Sequence, residues 1–342
     1  MKNTERFSLV MDGNGTPDRL PVIEWASWWD ETCAAWYRQG LPAHLSGNAL
    51  NDHFGHDRLR QFWLPVRDKG CPQPKFHGGP IIEDEGDYDA VRPHLFTDRL
   101  LGEIDETIRA QQAADDGDTA YWFTLEGFFW FPRTLFGIEG HLFAFYDYPE
   151  LMLRINRDLA EYHRKCLEVV YSRIKPHFMT FAEDMSYNLG PMLSREQYDA
   201  FMLPFYRNLV PEIRRRGTKV LIDTDGQVEP LIPWFLEGGI EGILPLERMA
   251  GVDVNRIREH YPDLIMIGGF DKTVMHRGEA AMRTEFERLL PAMRAGRYIP
   301  SVDHQTPPDV SLENYHIFLA LLREYAKKAV TDMKIVAEKH RK

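Results

Sequence analysis

Lys219-Val220-Leu221-Ile222-Asp223-Thr224-Asp225-Gly226 sets the pattern for the whole chain. A short apolar run ends in two carboxylates and a glycine. In an extended chain residues i and i+2 face the same side, so Asp223 and Asp225 point together, and Gly226 frees the backbone to turn toward a following helix. Two converging carboxylates repel unless something positive or a proton lies between them. A metal ion, a shared proton or a neighbouring Lys or Arg would each satisfy the pair. A loop cap with a salt bridge is the purely structural reading.

Working outward, the same arrangement recurs along the sequence. Glu24, Glu126, Glu183-Asp184, Glu247, Asp271 and His304 each follow a short apolar run. The runs Leu20 to Trp25, Ala120 to Leu125, His177 to Ala182, Lys219 to Ile222, Gly242 to Leu246, Leu264 to Ile267 and Tyr298 to Val302 read as strands. Helical stretches separate them: Pro149 to Lys175, Ser194 to Arg216 opened by a Ser cap, Pro230 to Glu237, Val254 to His260, roughly 278 to 295, and Leu312 onward. Strands alternating with helices predict an α/β fold, a single (β/α)8 TIM barrel over residues 1–342 with an N-terminal extension or hairpin. The region up to about residue 118 carries the weakest signal, and Phe76 to Arg92 reads as a surface hairpin. A barrel gathers its strand ends into one mouth, so polar groups at nearly every strand end point to an active site there.

The global numbers narrow the function. A chain of 342 residues with 44% hydrophobic composition has enough apolar mass for one barrel core. A net charge of -11 argues against nucleic acid or an anionic membrane surface as partner. The start of the chain lacks a signal-peptide pattern and no stretch approaches a membrane span, which predicts a cytoplasmic protein. Cys33, Cys71 and Cys166 are scattered without CxxC or CxC spacing, so neither a disulfide framework nor a thiolate zinc site is signalled. A homodimer is compatible with these numbers, which do not fix the oligomeric state.

His304, in Pro300-Ser301-Val302-Asp303-His304-Gln305, follows the last strand and so faces the mouth as a metal ligand, a general acid or a satisfied polar residue. Of the neighbours Glu183 and Asp184, one should point inward. Glu183 is the expected one, as a further ligand or a general acid or base. The aromatics Trp25, Trp28, Trp29, Trp36, Phe128, Phe129, Trp130 and Phe131 concentrate where strand-to-helix loops should lie, and predict the wall of a site for an apolar or planar ligand. Trp25, Trp28, Trp29 and Phe129 are the expected wall, with Tyr187 from the loop after Asp184 and with Arg133 to neutralise a substrate anion. Gly268-Gly269-Phe270-Asp271-Lys272 suggests close backbone approach and a charged pair.

At these residues the chain resembles the uroporphyrinogen decarboxylase superfamily, which includes corrinoid-dependent methyltransferases. The resemblance runs from Asp18-Arg19-Leu20-Pro21-Val22 through Phe181-Ala182-Glu183-Asp184, Gly190-Pro191-Met192-Leu193-Ser194, the Asp223 to Gly226 motif and Gly268-Gly269-Phe270-Asp271 to the strand before His304. It implies a barrel with a cleft at its C-terminal face. The decarboxylases carry an Arg-x-x-Gly-Arg loop after the first strand to hold a polyanionic tetrapyrrole. Here the loop is Trp25-Ala26-Ser27-Trp28-Trp29-Asp30-Glu31, rings and acids in place of cations. The thiol-methylating branch holds zinc with His-x-Cys and a later Cys, positions that fall on Asp223, Asp225 and His304. What the resemblance implies is a metal-assisted methyltransferase, with zinc or a harder divalent ion held by those three residues. The methyl would pass from a small methylated substrate to a corrinoid on a partner protein, with catalytic roles for Glu183, Asp225 and His304. The alternatives are a decarboxylase of a smaller or less anionic acid, and a barrel that only binds a corrinoid or small ligand.

Overall fold

The structure, a computed structural model, describes residues 1–340, with side chains described through Asp332. Among the described residues a single large sheet holds seven strands: β1 (Leu59–Trp63), β2 (Ala120–Glu126), β3 (Phe178–Ala182), β4 (Lys219–Asp223), β5 (Gly242–Leu244), β6 (Ile265–Phe270) and β7 (Tyr298–Val302). They lie in chain order and every neighbouring pair is parallel. Helices fill the crossovers. Both faces of such a sheet are covered, and strands β2 and β3 are accordingly apolar runs buried along nearly their whole length.

The register brings the strand ends level. Glu126 pairs with Ala182, Ala182 with Asp223, and Asp223 with Leu244. The residues that follow these positions therefore share one end of the sheet, and that end carries the site. Inside the curl runs a short polar ladder: the Gln61 amide donates to Thr124 Oγ1 at 2.9 Å, and Thr124 and Thr180 hydroxyls pair at 2.9 Å.

Leu20 to Trp25, read as the first strand, is not one. Pro21 has no N–H to give a ladder, and the segment is held by other means. Val22 N–H donates to the Asp57 carboxylate at 2.8 Å and Val22 C=O accepts from Asp57 N–H at 2.8 Å, just ahead of β1. On the other side Ser301 Oγ donates to Ile23 C=O at 3.1 Å and Trp25 Nε1 donates to Val302 C=O at 2.7 Å, both on β7. The segment thus bonds β7 directly and, through Asp57, the chain just ahead of β1. The expected eight-stranded barrel is a seven-stranded parallel half-barrel with an irregular segment against its edges. Asp57 is the centre of this arrangement, because it also takes both Arg19 Nη1 and Nη2 at 2.6 Å. Asp57→Ala is expected to cost about 2–3 kcal/mol, the range for hydrogen bonds to a charged group, measured by urea unfolding.

Two further expectations change. Phe76 to Arg92 is no hairpin, for it holds a loop and the helix Glu85–Val91, capped by the Asp84 carboxylate on Asp87 N–H at 3.0 Å. The helix expected over 194–216 is two, Arg195–Phe201 and Leu203–Arg215, since Pro204 lacks an N–H and favours a first turn. Ser194 opens the first with a capping box closed by Gln197. The helix Pro149–Arg173 buries Leu151, Ile155, Leu159, Tyr162, Cys166 and Val170 along one stripe against the sheet. One hydrophobic core reaches from Phe7 to Val330. Among the described residues no helix is long and apolar enough to cross a membrane.

Candidate active site

A cavity of about 330 Å3 opens at the level strand ends, lined by Trp25, Gln61, Trp63, Trp122, Trp130, Glu183, Asp184, Asp223, Asp225 and His304, with short stretches of neighbouring chain. A larger cleft of about 610 Å3 lies between the 76–83 loop and helix Ile138–Asp147, but none of the strand-end acids reaches it. Chemistry belongs to the first.

The strand ends are pinned tightly. Glu183 N–H donates to Asp223 C=O at 2.9 Å, Met185 N–H to Thr224 Oγ1 at 2.9 Å, and Thr224 N–H to Leu244 C=O at 3.0 Å. Gly226 sits at φ 80° against the backbone of Tyr187, where a Cβ would overlap the chain. Asp184, which is not glycine, also adopts a left-handed φ of 41°. Such a conformation costs free energy and persists only where its surroundings hold it. Here Arg133 does so, donating from Nη1 to the Asp184 carboxylate at 2.9 Å and to its C=O at 3.0 Å.

The electrostatics set the protons. His304 Nε2 stands 3.5 Å from Asp225 Oδ2, and this pairing holds the imidazole above its usual range. Asp223 is pushed up to about 8, first by burial and then by the charges of Asp225 and Asp184. It therefore carries a proton at neutral pH. Asp184 is also raised, again by burial before anything else.

Beneath this layer the other strand-end acids hold the scaffold. Glu183 lines the cavity, yet its carboxylate is committed to the scaffold. It is fully buried and accepts from the N–H groups of Phe128 and Phe129 at 2.8 Å and Trp130 at 3.3 Å, and from the Tyr206 hydroxyl. It caps the entry to helix Trp130–Phe136, and Gly127 leaves the space, since a Cβ there would overlap the carboxyl. Glu24 bonds Ser301 and Tyr315 at 3.3 and 3.2 Å, and burial pushes it up to about 8. Glu126 accepts from Trp63 Nε1 at 3.0 Å. Glu247 accepts from Gly226 N–H at 3.1 Å, with Lys272 Nζ 3.5 Å away. Asp271 caps Thr273 N–H at 2.9 Å. Asp303, beside His304, takes the N–H groups of Arg248 and Lys272 at 2.8 and 3.1 Å.

The expected aromatic wall is redistributed. Trp25 lines the cavity. Trp28 is buried among Trp36, Phe54, His56 and Tyr315, and Phe129 packs on His141 and Phe145, so both are core. Trp29 and Tyr187 are exposed outside the cavity lining, and Arg133 is committed to Asp184 and to the Trp130 ring. Trp63, Trp122 and Gln61 take their place. The signal for them lay in β1 and β2, where Gln61 and Trp63 are two apart and Gln61 stands opposite Trp122.

The metal expectation meets a geometric difficulty. Asp223, Asp225 and His304 line one cavity, and imidazole with carboxylates suits zinc chemically. Among the described residues, however, no group of three or more His, Cys, Asp or Glu side chains is placed to hold a metal ion. Asp225 and His304 pair with each other while Asp223 keeps its proton. As the side chains stand, the three do not fit a metal, and a divalent ion would have to draw Asp223 to the other two.

A parallel α/β half-barrel with an acid-lined, tryptophan-walled cavity at its strand ends defines an enzyme-like scaffold of the barrel class. The chain belongs to the uroporphyrinogen decarboxylase family: the family model described as Uroporphyrinogen decarboxylase (URO-D) matches residues 145–325, more than half of its length. No curated protein matches the sequence. Among solved structures, a methyltransferase from Methanosarcina mazei is 13% identical with a TM-score of 0.65, the match covering 95% of this chain and 99% of that one. A Listeria monocytogenes protein described as a vitamin-B12 independent methionine synthase is 12% identical with a TM-score of 0.38, covering 67% of this chain and 68% of that one. At such identities the first match speaks for the fold alone.

Proposed function

We propose that this protein is a methyltransferase that moves a methyl group from a small substrate, out of the cavity between Trp25 and Trp130, to an acceptor at the barrel mouth. The observation that carries the reading is geometric: Asp223, Asp225 and His304 line one cavity, with His304 paired to Asp225 and the Asp223 carboxyl held above its usual range by burial and the neighbouring acids. Removing a methyl group from a heteroatom leaves an electron pair on that atom, and a proton positioned to meet it lowers the barrel's cost for the leaving group. Asp223 supplies that proton, and His304 pairs with the carboxylate of Asp225 next to it. A corrinoid on a second protein would supply the nucleophile that accepts the methyl group. Exposed Trp63, Tyr187, Leu189 and Met249 lie at or after the ends of β1, β3 and β5, apolar surface suited to a large planar face. Family membership supports methyl transfer and decarboxylation alike. Decarboxylation of a polyanion is disfavoured because, among the described residues, no Lys or Arg lines the cavity.

The test mixes the protein with cob(I)alamin and a panel of N- and O-methylated compounds and follows formation of methylcobalamin by its absorbance. Methylcobalamin should form with the protein and fail to form with Asp223→Asn/His304→Ala. Release of CO2 from a carboxylated compound without methyl transfer would overturn the reading, and so would a double variant as active as the parent. Zinc and other divalent metals are measured on the same purified sample. A stoichiometric ion would reassign Asp223 from proton donor to ligand.

A further inference from the structure

Helix Ile138–Asp147 is apolar on both of its faces, yet only one of them is covered. The inner face buries His141, Ala144 and Phe145, and the His141 ring packs on Phe129 at 4.5 Å, the residue before the Trp130 wall of the catalytic cavity. The outer face carries Ile138, Leu142, Phe143 and Tyr146 at 44, 38, 65 and 73% exposure. A helix that is hydrophobic all round is normally enclosed. The loop opposite adds Phe76 at 65% exposure, and between loop and helix runs the cleft of about 610 Å3, with buried Ile82, Phe136 and Ala144 in its lining. Apolar surface concentrated in this way marks an interaction site. The walls of the cleft are fixed: Ile138 N–H donates to Gly78 C=O at 3.0 Å, and Gly78 sits at φ 75° where a Cβ would overlap the Ile138 side chain.

The charges around the cleft select its occupant. Glu83, Glu139 and Asp147 line it, no Lys or Arg does, and His77 is the only basic side chain among its lining residues. The nearby acids Glu85 and Asp89 are taken by Arg154, whereas Glu83, Glu139 and Asp147 have no ion-pair partner among the described residues. A second copy docked here about a two-fold axis would meet the same patch and bring acid against acid. A face edged with lysine or arginine meets these carboxylates with the opposite charge. We propose that this cleft docks an amphipathic helix of a second protein, its apolar face laid against Phe76, Ile138, Phe143 and Tyr148 and its polar edges rich in lysine or arginine. Helix Ile138–Asp147 has 10 residues and so is about 15 Å long, room for partner side chains at i, i+3, i+4 and i+7. The docked helix stands behind the Trp130 wall, separated from it by His141 and Phe129 and outside the cavity that carries the chemistry. This surface is independent of the reaction run in that cavity.

The test is a binding measurement and needs no turnover. A fluorescently labelled helical peptide with leucine at i, i+3, i+4 and i+7 and lysine on its polar face is titrated with the protein, following anisotropy, beside a twin that carries glutamate in place of lysine. The lysine peptide should bind at least about 10-fold more tightly than its twin, and its affinity should fall as salt rises. Phe143→Ser and Tyr146→Ser change exposed side chains and leave the core intact, and each should weaken the lysine peptide by about 3- to 30-fold. Leu236→Ser, on the exposed face of another helix, should leave its binding unchanged. Glu139→Lys combined with Asp147→Lys should reverse the preference between the two peptides. Equal binding of the twins, or lysine-peptide binding that survives Phe143→Ser and Tyr146→Ser, overturns the inference. So does a dimer in sedimentation velocity that Phe143→Ser dissociates, because the cleft would then join copies of this chain.

Discussion

Replacing Asp223 by asparagine is expected to lower turnover by about 10²- to 10⁴-fold, the share usually supplied by a positioned general acid, while the protein stays folded. Asparagine keeps the shape and loses the proton. Activity of the parent should fall as pH rises through about 8, where Asp223 gives up its proton, and that limb should vanish from the residual rate of the variant. Stability falls over a lower pH window. The folded-state pKa lies above the unfolded value of 3.8. Between those two pH values the folded chain binds a proton that the unfolded chain has released, so Asp223 makes stability fall as pH rises. Asp223→Asn removes that loss. Its Tm should match the parent near pH 4 and exceed it increasingly up to pH 8, by about 2–4 °C for each kcal/mol of relieved repulsion. A variant that keeps full turnover, or a Tm difference that shrinks with rising pH, would remove Asp223 from its role.

Much of this arrangement was legible because burial on both faces writes itself as an apolar run. β2, β3, β4 and β7 lie where such runs predicted them, and Val254–His260 is the helix expected. The first strand was misplaced for a physical reason. Leu59-Arg60-Gln61-Phe62-Trp63 carries polar groups because Gln61 joins the inner ladder with Thr124 and Thr180, so it does not read as a buried strand. Leu20 to Trp25 is apolar and buried through Glu24, yet Pro21 denies it a ladder. Trp28 and Phe129 were indistinguishable in sequence from ligand-facing aromatics, since a ring in a loop packs into a core or a cavity with equal chemistry. Asp223, Asp225 and His304 line one cavity because parallel strands fix their ends on one side, but no three such side chains among the described residues are placed to hold one ion.

Glu183 is where sequence reasoning and structure part most instructively, and it yields the largest expected loss of stability. Alternation along a strand made Glu183 the inward acid. The left-handed turn at Asp184 breaks that alternation, so both residues line the cavity, Asp184 paired with Arg133 and the Glu183 carboxylate bonded to the 127–130 loop. Glu183→Ala would strip a partner from three buried N–H groups and the Tyr206 hydroxyl at once. Leaving buried donors without a partner costs about 1–3 kcal/mol each, a total on the order of 3–5 kcal/mol and a fall in Tm on the order of 10 °C at about 2–4 °C per kcal/mol. Glu183→Gln keeps the volume and one accepting oxygen, but turns an NH2 group toward backbone donors, so its loss should lie between alanine and the parent. A purely catalytic Glu183 predicts the reverse, full stability and no turnover in both variants. Because the same loop carries Trp130 to the cavity wall, Glu183→Gln should also raise KM more than it lowers kcat, as expected for a residue that positions the binding wall and never touches the transferred methyl group.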